Sequence, residues 1–150
     1  MPEVEDALSL SPIMGRLPLF ALSRLGRVAR QGIRDAFESE GLSWRAHVVL
    51  LCLQGRDGLS QRELAELSAT DPSDLVKLLD GMERAGQVRR DPDPHDRRRR
   101  VLTITQGGVE ALHHGEAITD RATDRVLSRL DLADRELLHG LALRALDAEG

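Results

Sequence analysis

Apolar positions mark out six helical segments and one two-stranded segment along the chain. From Leu17, the positions Phe20, Leu25, Val28, Gly32, Ala36 and Phe37 recur at helical spacing and predict a first amphipathic helix ending near Gly41. "LSWRAHVVLLCL" follows, with Ser43 as its cap and an apolar run that predicts a buried second helix. "GRDGLS" is a turn. Ser60 with Glu63 three residues later is a capping-box pattern, so a short third helix opens there and stops around Ser68. Asp71 as N-cap, Pro72 at the first helical position and Gly86 at the end delimit a fourth helix over 71–85. Its inward stripe is Leu75, Leu78, Leu79 and Met82. Ser73, Asp74, Lys77, Asp80 and Arg84 remain outside.

"QVRR" and "RRVLTIT" read as strands around the turn-rich "DPDPHD". Thr105 caps a long fifth helix running to about Leu130, with Val109, Leu112, Glu116, Ala122 and Val126 on a mixed face. Asp131 caps a last helix in which Leu137, Leu138, Leu141 and Leu143 are apolar. The expected fold is mainly α: a winged helix-turn-helix of six helices and a two-stranded wing hairpin. The N- and C-terminal helices carry more apolar surface than a small winged core needs and are assigned to a dimerisation lobe. The expected domains are a mobile tail at 1–14, dimerisation helices at 15–42 and 109–150, and a DNA-binding lobe at 43–108.

Composition narrows the functional classes. The 150 residues suit one domain, and 41% of them are apolar. Aromatics are 2% and tyrosine is absent, so the core must be Leu, Val and Ala, and an aromatic cage is not expected. The single cysteine, Cys52, excludes an intramolecular disulfide and fits a reducing compartment. The acidic start lacks a signal-peptide pattern, and "VVLLCL" is too short to span a bilayer, so a cytoplasmic protein without membrane contact is expected. No nucleophile–base pair, metal cluster or phosphate loop has usable spacing; "QGG" at 106–108 is too short. An enzyme, a cofactor and a metal site are therefore not expected.

Charge changes the picture. The chain carries a net −4, yet residues 84–104 hold seven arginines against three aspartates. That is a local +4, which leaves −8 for the remainder. A basic hairpin on an acidic body is an electrostatic footprint for nucleic acid.

Residues 59–108, "LSQRELAELSATDPSDLVKLLDGMERAGQVRRDPDPHDRRRRVLTITQGG", resemble the third helix, recognition helix and wing of the multiple antibiotic resistance regulator (MarR) family of bacterial transcription factors. The most specific piece is the wing, with Asp96 and Arg98 as Asp-x-Arg and Thr105 to Gly108 as Thr-x-x-Gly. "LDLADRELLHGLALRAL" is similar to the family's last helix, and the likeness covers most of residues 15–148. The resemblance implies a homodimer with recognition helices in successive major grooves of double-stranded DNA and wings along the flanking minor grooves. It implies repression, often relieved by a small-molecule effector bound between the dimer helices and the DNA-binding lobe. The chain departs from the pattern at Gly81, a poor helix former, and in the acidic start of the fourth helix, Asp71 and Asp74.

Within that frame the expected DNA-binding residues are Gln61, Arg62, Ser73, Asp74, Lys77, His95, Arg97, Arg98, Arg99 and Arg100. Strand alternation would put Arg97 and Arg99 on one face and Arg98 and Arg100 on the other. The resemblance assigns Arg98 to the wing's base or tip, oriented by an ion pair to Asp96, and leaves Arg97 and Arg99 to groove and backbone. Lys77 and Ser73 share an outward face, where lysine suits a guanine edge or a phosphate. Asp74 suits either cytosine or the positive end of the helix dipole. Gln61 and Arg62 open the third helix, where phosphates approach.

Other residues have plainer roles. Cys52 is expected as a small buried hydrophobe; the family's peroxide sensors have an earlier cysteine supported by tyrosines. His113 and His114 are expected to be exposed polar residues, with Glu110 and His114 too little for a metal. His47 is expected to be a hydrogen-bonded helix histidine. Trp44 is expected at the junction of the first two helices. An effector pocket would be aliphatic, with Arg24, Arg27 or Arg30 supplying charge. The competing function is a winged-helix protein-interaction module without DNA binding.

Overall fold

The computed structural model describes residues 14–56 and 58–147. A 3-10 turn at Met14–Arg16 precedes α1 (Pro18–Ser39), α2 (Trp44–Leu53), α3 (Gln61–Leu67), α4 (Pro72–Arg84), β1 (Val88–Pro92), β2 (Arg100–Ile104), α5 (Gln106–Val126) and α6 (Leu132–Asp147). Among the described residues the fold is therefore mainly helical, with six α-helices and a two-stranded antiparallel sheet. The tail expected at 1–14 lies, except for Met14, outside the described residues.

The chain divides into two compact units. One is Arg34–Thr119; the other combines the segments before residue 34 and after residue 119.

The unit Arg34–Thr119 has one apolar core. Val49, Leu50 and Leu53 of α2, Leu64 and Ala65 of α3, and Leu75, Leu79 and Met82 of α4 meet Val88, Leu102 and Leu112. Leu78, expected inside, packs at the edge of this cluster and is only partly buried. Local chemistry starts each helix where the side chains allow. Ser43 Oγ accepts from Ala46 N, and Ser60 with Glu63 forms a complete capping box. Asp71 accepts from the amides of Ser73 and Asp74, and Pro72 needs no amide partner there. Asp71's carboxyl lies below its ordinary pKa because the Ser73 hydroxyl and both amides favour its anion. After α4, Gly86 at φ +71° lets Gln87 N reach Met82 O at 2.9 Å, which ends the helix and launches β1. Strand pairing runs from Val88 opposite Ile104 to Pro92 opposite Arg100. Leu102 N also donates to Leu59 O at 2.8 Å, so the wing is tied to the segment before α3.

Gly81 lies within α4 with nothing inside 4 Å of where a Cβ would sit. Gly81→Ala should raise stability by about 0.5–1 kcal/mol, from helix propensity alone, as read by urea unfolding.

In the other unit, Gly32 of α1 lies so close to α5 that a Cβ would meet Val126 Cγ2 at 2.6 Å. Helix α5 ends at Val126, four residues before the expected Leu130. The reason is Arg135, whose Nε donates to Leu127 O at 3.1 Å and Leu130 O at 3.0 Å while Nη1 donates to Asp124 at 2.6 Å. Its guanidinium caps those carbonyls, which belong to the turn between α5 and α6. Asp131 then caps α6 as expected, accepting from Asp134 N at 2.8 Å. No residue of α6 is buried, and Leu132, Leu137, Leu141, Leu143 and Leu146 are exposed. On α1, Leu19 is 79% and Leu22 57% exposed. An apolar hollow of about 210 Å³ lies among Leu25, Ile33, Val126 and Leu138.

Candidate nucleic-acid interface

Three parts of the unit Arg34–Thr119 carry the candidate residues: the outer face of α4, the β1–β2 wing and the start of α3. On α4, Ser73, Val76 and Lys77 are exposed at helical spacing. The Ser73 hydroxyl donates to Asp71 Oδ1 at 2.5 Å, so it is oriented by the cap. Asp74 stands in the first turn and its carboxylate meets Arg45 Nη2 of α2 at 3.5 Å. Among the described residues Lys77 has no carboxylate within ion-pair distance. Val76 and Arg45 were missing from the sequence expectations. Val76 could have been found, because it lies three residues from Ser73 on the outward face. Arg45 could not, because its partner is 29 residues away.

The wing differs from the sequence picture. Strand alternation does not apply to Arg97–Arg99, because pairing stops at Pro92 and Arg100. Asp93 Oδ1 accepts from His95 N at 2.8 Å, Asp96 Oδ1 accepts from Arg98 N at 3.0 Å, and Arg99 N donates to Asp96 O at 2.9 Å. These local bonds curl the chain into a turn with Arg97 and Arg98 at its corner. The expected Asp96–Arg98 ion pair is absent as well. Asp96 holds the backbone amide of Arg98, not its guanidinium, so the aspartate shapes the loop and leaves the arginine free.

The arginines separate into two groups. Arg90 bridges to Asp80 at 2.7 Å and Glu83 at 2.5 Å, fixing β1 to α4. Arg89 pairs with Asp91 at 2.6 Å. Arg99 reaches Glu63 at 2.5 Å and Asp93 at 3.7 Å. Glu63's carboxyl is lowered to about 2, first by the Ser60 hydroxyl, then by the Ser60 amide and by Arg99. Arg97, Arg98 and Arg100 are exposed, and among the described residues none has a carboxylate within 4.0 Å. His95 is exposed in the same loop. In α3, Arg62 pairs with Glu66 at 3.2 Å and is 89% exposed, while Gln61 is half-buried.

A hollow of about 530 Å³ in this unit is lined by Phe37, Leu42, His47, Lys77, Met82 and His114, among others. His47 is buried against the rings of Phe37 (5.2 Å) and Trp44 (5.5 Å). Contrary to the expectation of a hydrogen-bonded histidine, its Nδ1 is buried with no partner. Gly115 of α5 packs against that nitrogen so closely that a Cβ there would lie 2.2 Å from it. Burial lowers the imidazole's pKa, opposed by the charge of Glu116. Trp44 packs edge-on against Phe37 of α1 at 5.4 Å, as expected for the helix junction. His114 pairs with Glu40 at 2.7 Å and His113 with Glu116 at 3.1 Å, both exposed. Among the described residues no three metal-ligating side chains come together. Cys52 is half-buried, and burial raises its thiol pKa, partly offset by Arg56. No described helix is long and apolar enough to cross a membrane.

A sequence profile of the MarR family matches residues 42–99. A protein of Thauera aromatica described as a transcriptional regulatory protein for the hcr operon is 36% identical over 81% of this chain and 74% of its own. The Rv2887 protein of Mycobacterium tuberculosis, a helix-turn-helix transcriptional repressor, is 32% identical over 74% of this chain and 80% of its own. Its crystal structure in complex with DNA has a TM-score of 0.73 at 27% identity, covering 85% of this chain and 96% of that one. The structure of CouR from Rhodococcus jostii bound to p-coumaroyl-CoA has a TM-score of 0.68 at 28% identity, covering 88% and 93%.

Proposed function

The chain belongs to the MarR family of transcriptional regulators, and from that premise we propose that it is a homodimeric, cytoplasmic repressor that binds double-stranded DNA. Lys77 with Ser73 and Val76 enters the major groove. Arg97, Arg98 and Arg100, with His95, follow the flanking minor groove and phosphates. Arg62 and Gln61 contact the backbone. The observation that carries this is the cluster of unpaired wing arginines. In a protein of net −4, three guanidiniums left without carboxylates are oriented for an external anion. Narrow minor grooves and phosphates provide one.

The exposed leucines of α6 and of the start of α1 support the dimer, since a row of large apolar side chains is stable in water only when a partner covers it. A two-fold protein binds an inverted repeat with half-sites about 34 Å apart. The hollow by His47 and Lys77 suits a small apolar effector with an acidic group, the acid facing Lys77. CouR's p-coumaroyl-CoA makes an aromatic acid derivative a natural first ligand to try.

Capture of genomic fragments by the purified protein at low and raised salt tests the function. An inverted repeat that is recovered at low salt and lost at high salt is the expected result. Enrichment of no duplex, even by ligand-free protein, would transfer the acidic-ended α4 to a protein partner instead. On the recovered operator, Lys77→Ala should change the ranking of base substitutions by about 1–3 kcal/mol at one position per half-site. A uniform loss on every sequence would make Lys77 a phosphate contact only.

A further inference from the structure

We propose that Arg99 is a positioning residue: it latches the wing to the capping box of α3 through Glu63, and this latch holds the wing tip in its DNA-binding pose. The proposal rests on the DNA-binding function above and divides the arginine run into contacts and a strut.

One carboxylate oxygen joins the two elements. Glu63 Oε2 accepts from Ser60 N and Ser60 Oγ, both at 2.7 Å, and from Arg99 Nη2 at 2.5 Å. The cap fixes the Glu63 rotamer, so the carboxylate is a stationary anchor. On the wing side Arg99 is held three times more, first by its amide, which donates to Asp96 O at 2.9 Å. Its carbonyl accepts from Asp93 N at 2.9 Å, and its Nε faces Asp93 Oδ2 at 3.7 Å. Elsewhere the hairpin is tied to the segment before α3 by the Leu102–Leu59 backbone bond. Arg90 also fixes β1 to α4, and Val88 and Leu102 lie in the core, so the base of the hairpin is held. The Arg99–Glu63 pair, three residues further toward the tip and beyond the last paired residue, Arg100, carries the attachment past the paired strands and restrains the tip. Arg97, Arg98 and Arg100 are unpaired, so the run is not four equivalent cations.

This arrangement has an electrostatic signature. A guanidinium neutralised by a carboxylate displaces no counterion from DNA, so Arg99 adds nothing to the salt dependence of binding. Glu63→Gln removes a negative charge near the wing and by Coulomb's law alone should tighten DNA binding. The latch predicts the reverse.

Fluorescence anisotropy with a labelled mixed-sequence duplex, over a salt series, measures both effects on the full chain. Glu63→Gln and Arg99→Gln are each expected to weaken binding by roughly two- to five-fold, the scale of an exposed ion pair. The double variant should be no weaker than either single one. The slope of log K against log salt should stay at its wild-type value in Arg99→Gln, whereas Arg98→Gln should reduce it by about 0.9. Glutamine still accepts from the Ser60 amide, so the cap survives the Glu63 change. In the free protein, amide exchange over residues 93–100 should quicken in both single variants. A smaller slope in Arg99→Gln, with Glu63→Gln unchanged or tighter, would make Arg99 a phosphate contact and overturn the latch. If the wild type bound no duplex, the DNA function would fall, and unchanged exchange in both variants would still sink the latch independently.

Discussion

Replacing Arg97, Arg98 and Arg100 together by alanine is expected to abolish DNA binding at physiological salt while leaving the protein folded. The three side chains are exposed and, among the described residues, have no carboxylate partners, so their removal breaks no ion pair of the unit Arg34–Thr119. Their loss takes the local charge of residues 84–104 from +4 to +1 on a body of −8. Each phosphate contact removed should flatten the slope of log K against log salt by about 0.9, hence about 2.7 for all three. Equilibrium binding over a salt series, with a thermal melt as the folding control, measures this. If affinity and slope both match the wild type, the wing does not touch DNA.

Gly108→Ala is expected to destabilise the unit Arg34–Thr119 by about 3 kcal/mol, at the upper end for overpacking. A Cβ there would lie 2.1 Å from Gln87 O, 2.7 Å from Ile104 Cγ1 and 3.1 Å from Gln87 C. Two of these are backbone atoms, so no rotamer change relieves the clash. The neighbouring bonds are at stake too: Thr105 Oγ1 donates to Gly86 O at 2.5 Å, and Thr105 N to Gln87 O at 3.1 Å. This is where the start of α5 crosses the turn between α4 and β1. A wedge here displaces the wing from α4 as well as costing stability. Urea unfolding of this variant beside Gly81→Ala should give opposite signs. Wild-type stability for Gly108→Ala would mean the two turns can part freely.

Much of the architecture was legible because its signals are local. Ser43, Ser60 with Glu63, Asp71 with Pro72, Gly86, Thr105 and Asp131 each act on backbone groups within a few residues, so the elements start and stop close to where those residues predict. The exception is the end of α5. There the deciding residue, Arg135, reaches back eight residues to Leu127 O. Leu75, Leu79 and Met82 of the inward stripe of α4 were equally legible, since helical spacing settles which side chains can face one core, while Leu78 lies at its edge.

The candidate interface was legible in composition but not in arrangement. Four consecutive arginines announce an anion partner. Their division into Arg99, paired with a glutamate 36 positions away, and three unpaired neighbours does not follow from the string. The same holds for Arg90, drawn to Asp80 and Glu83, and for His47, whose Nδ1 is buried against Gly115 with no partner among the described residues. By itself the sequence determined the helices, the hairpin, the core stripe and the family, because caps, periodicity and turn chemistry act over one or two turns of chain. Only the tertiary structure decided which charges cancel one another and which stay available. Ion pairing depends on distances of a few ångströms between residues that the chain order keeps far apart.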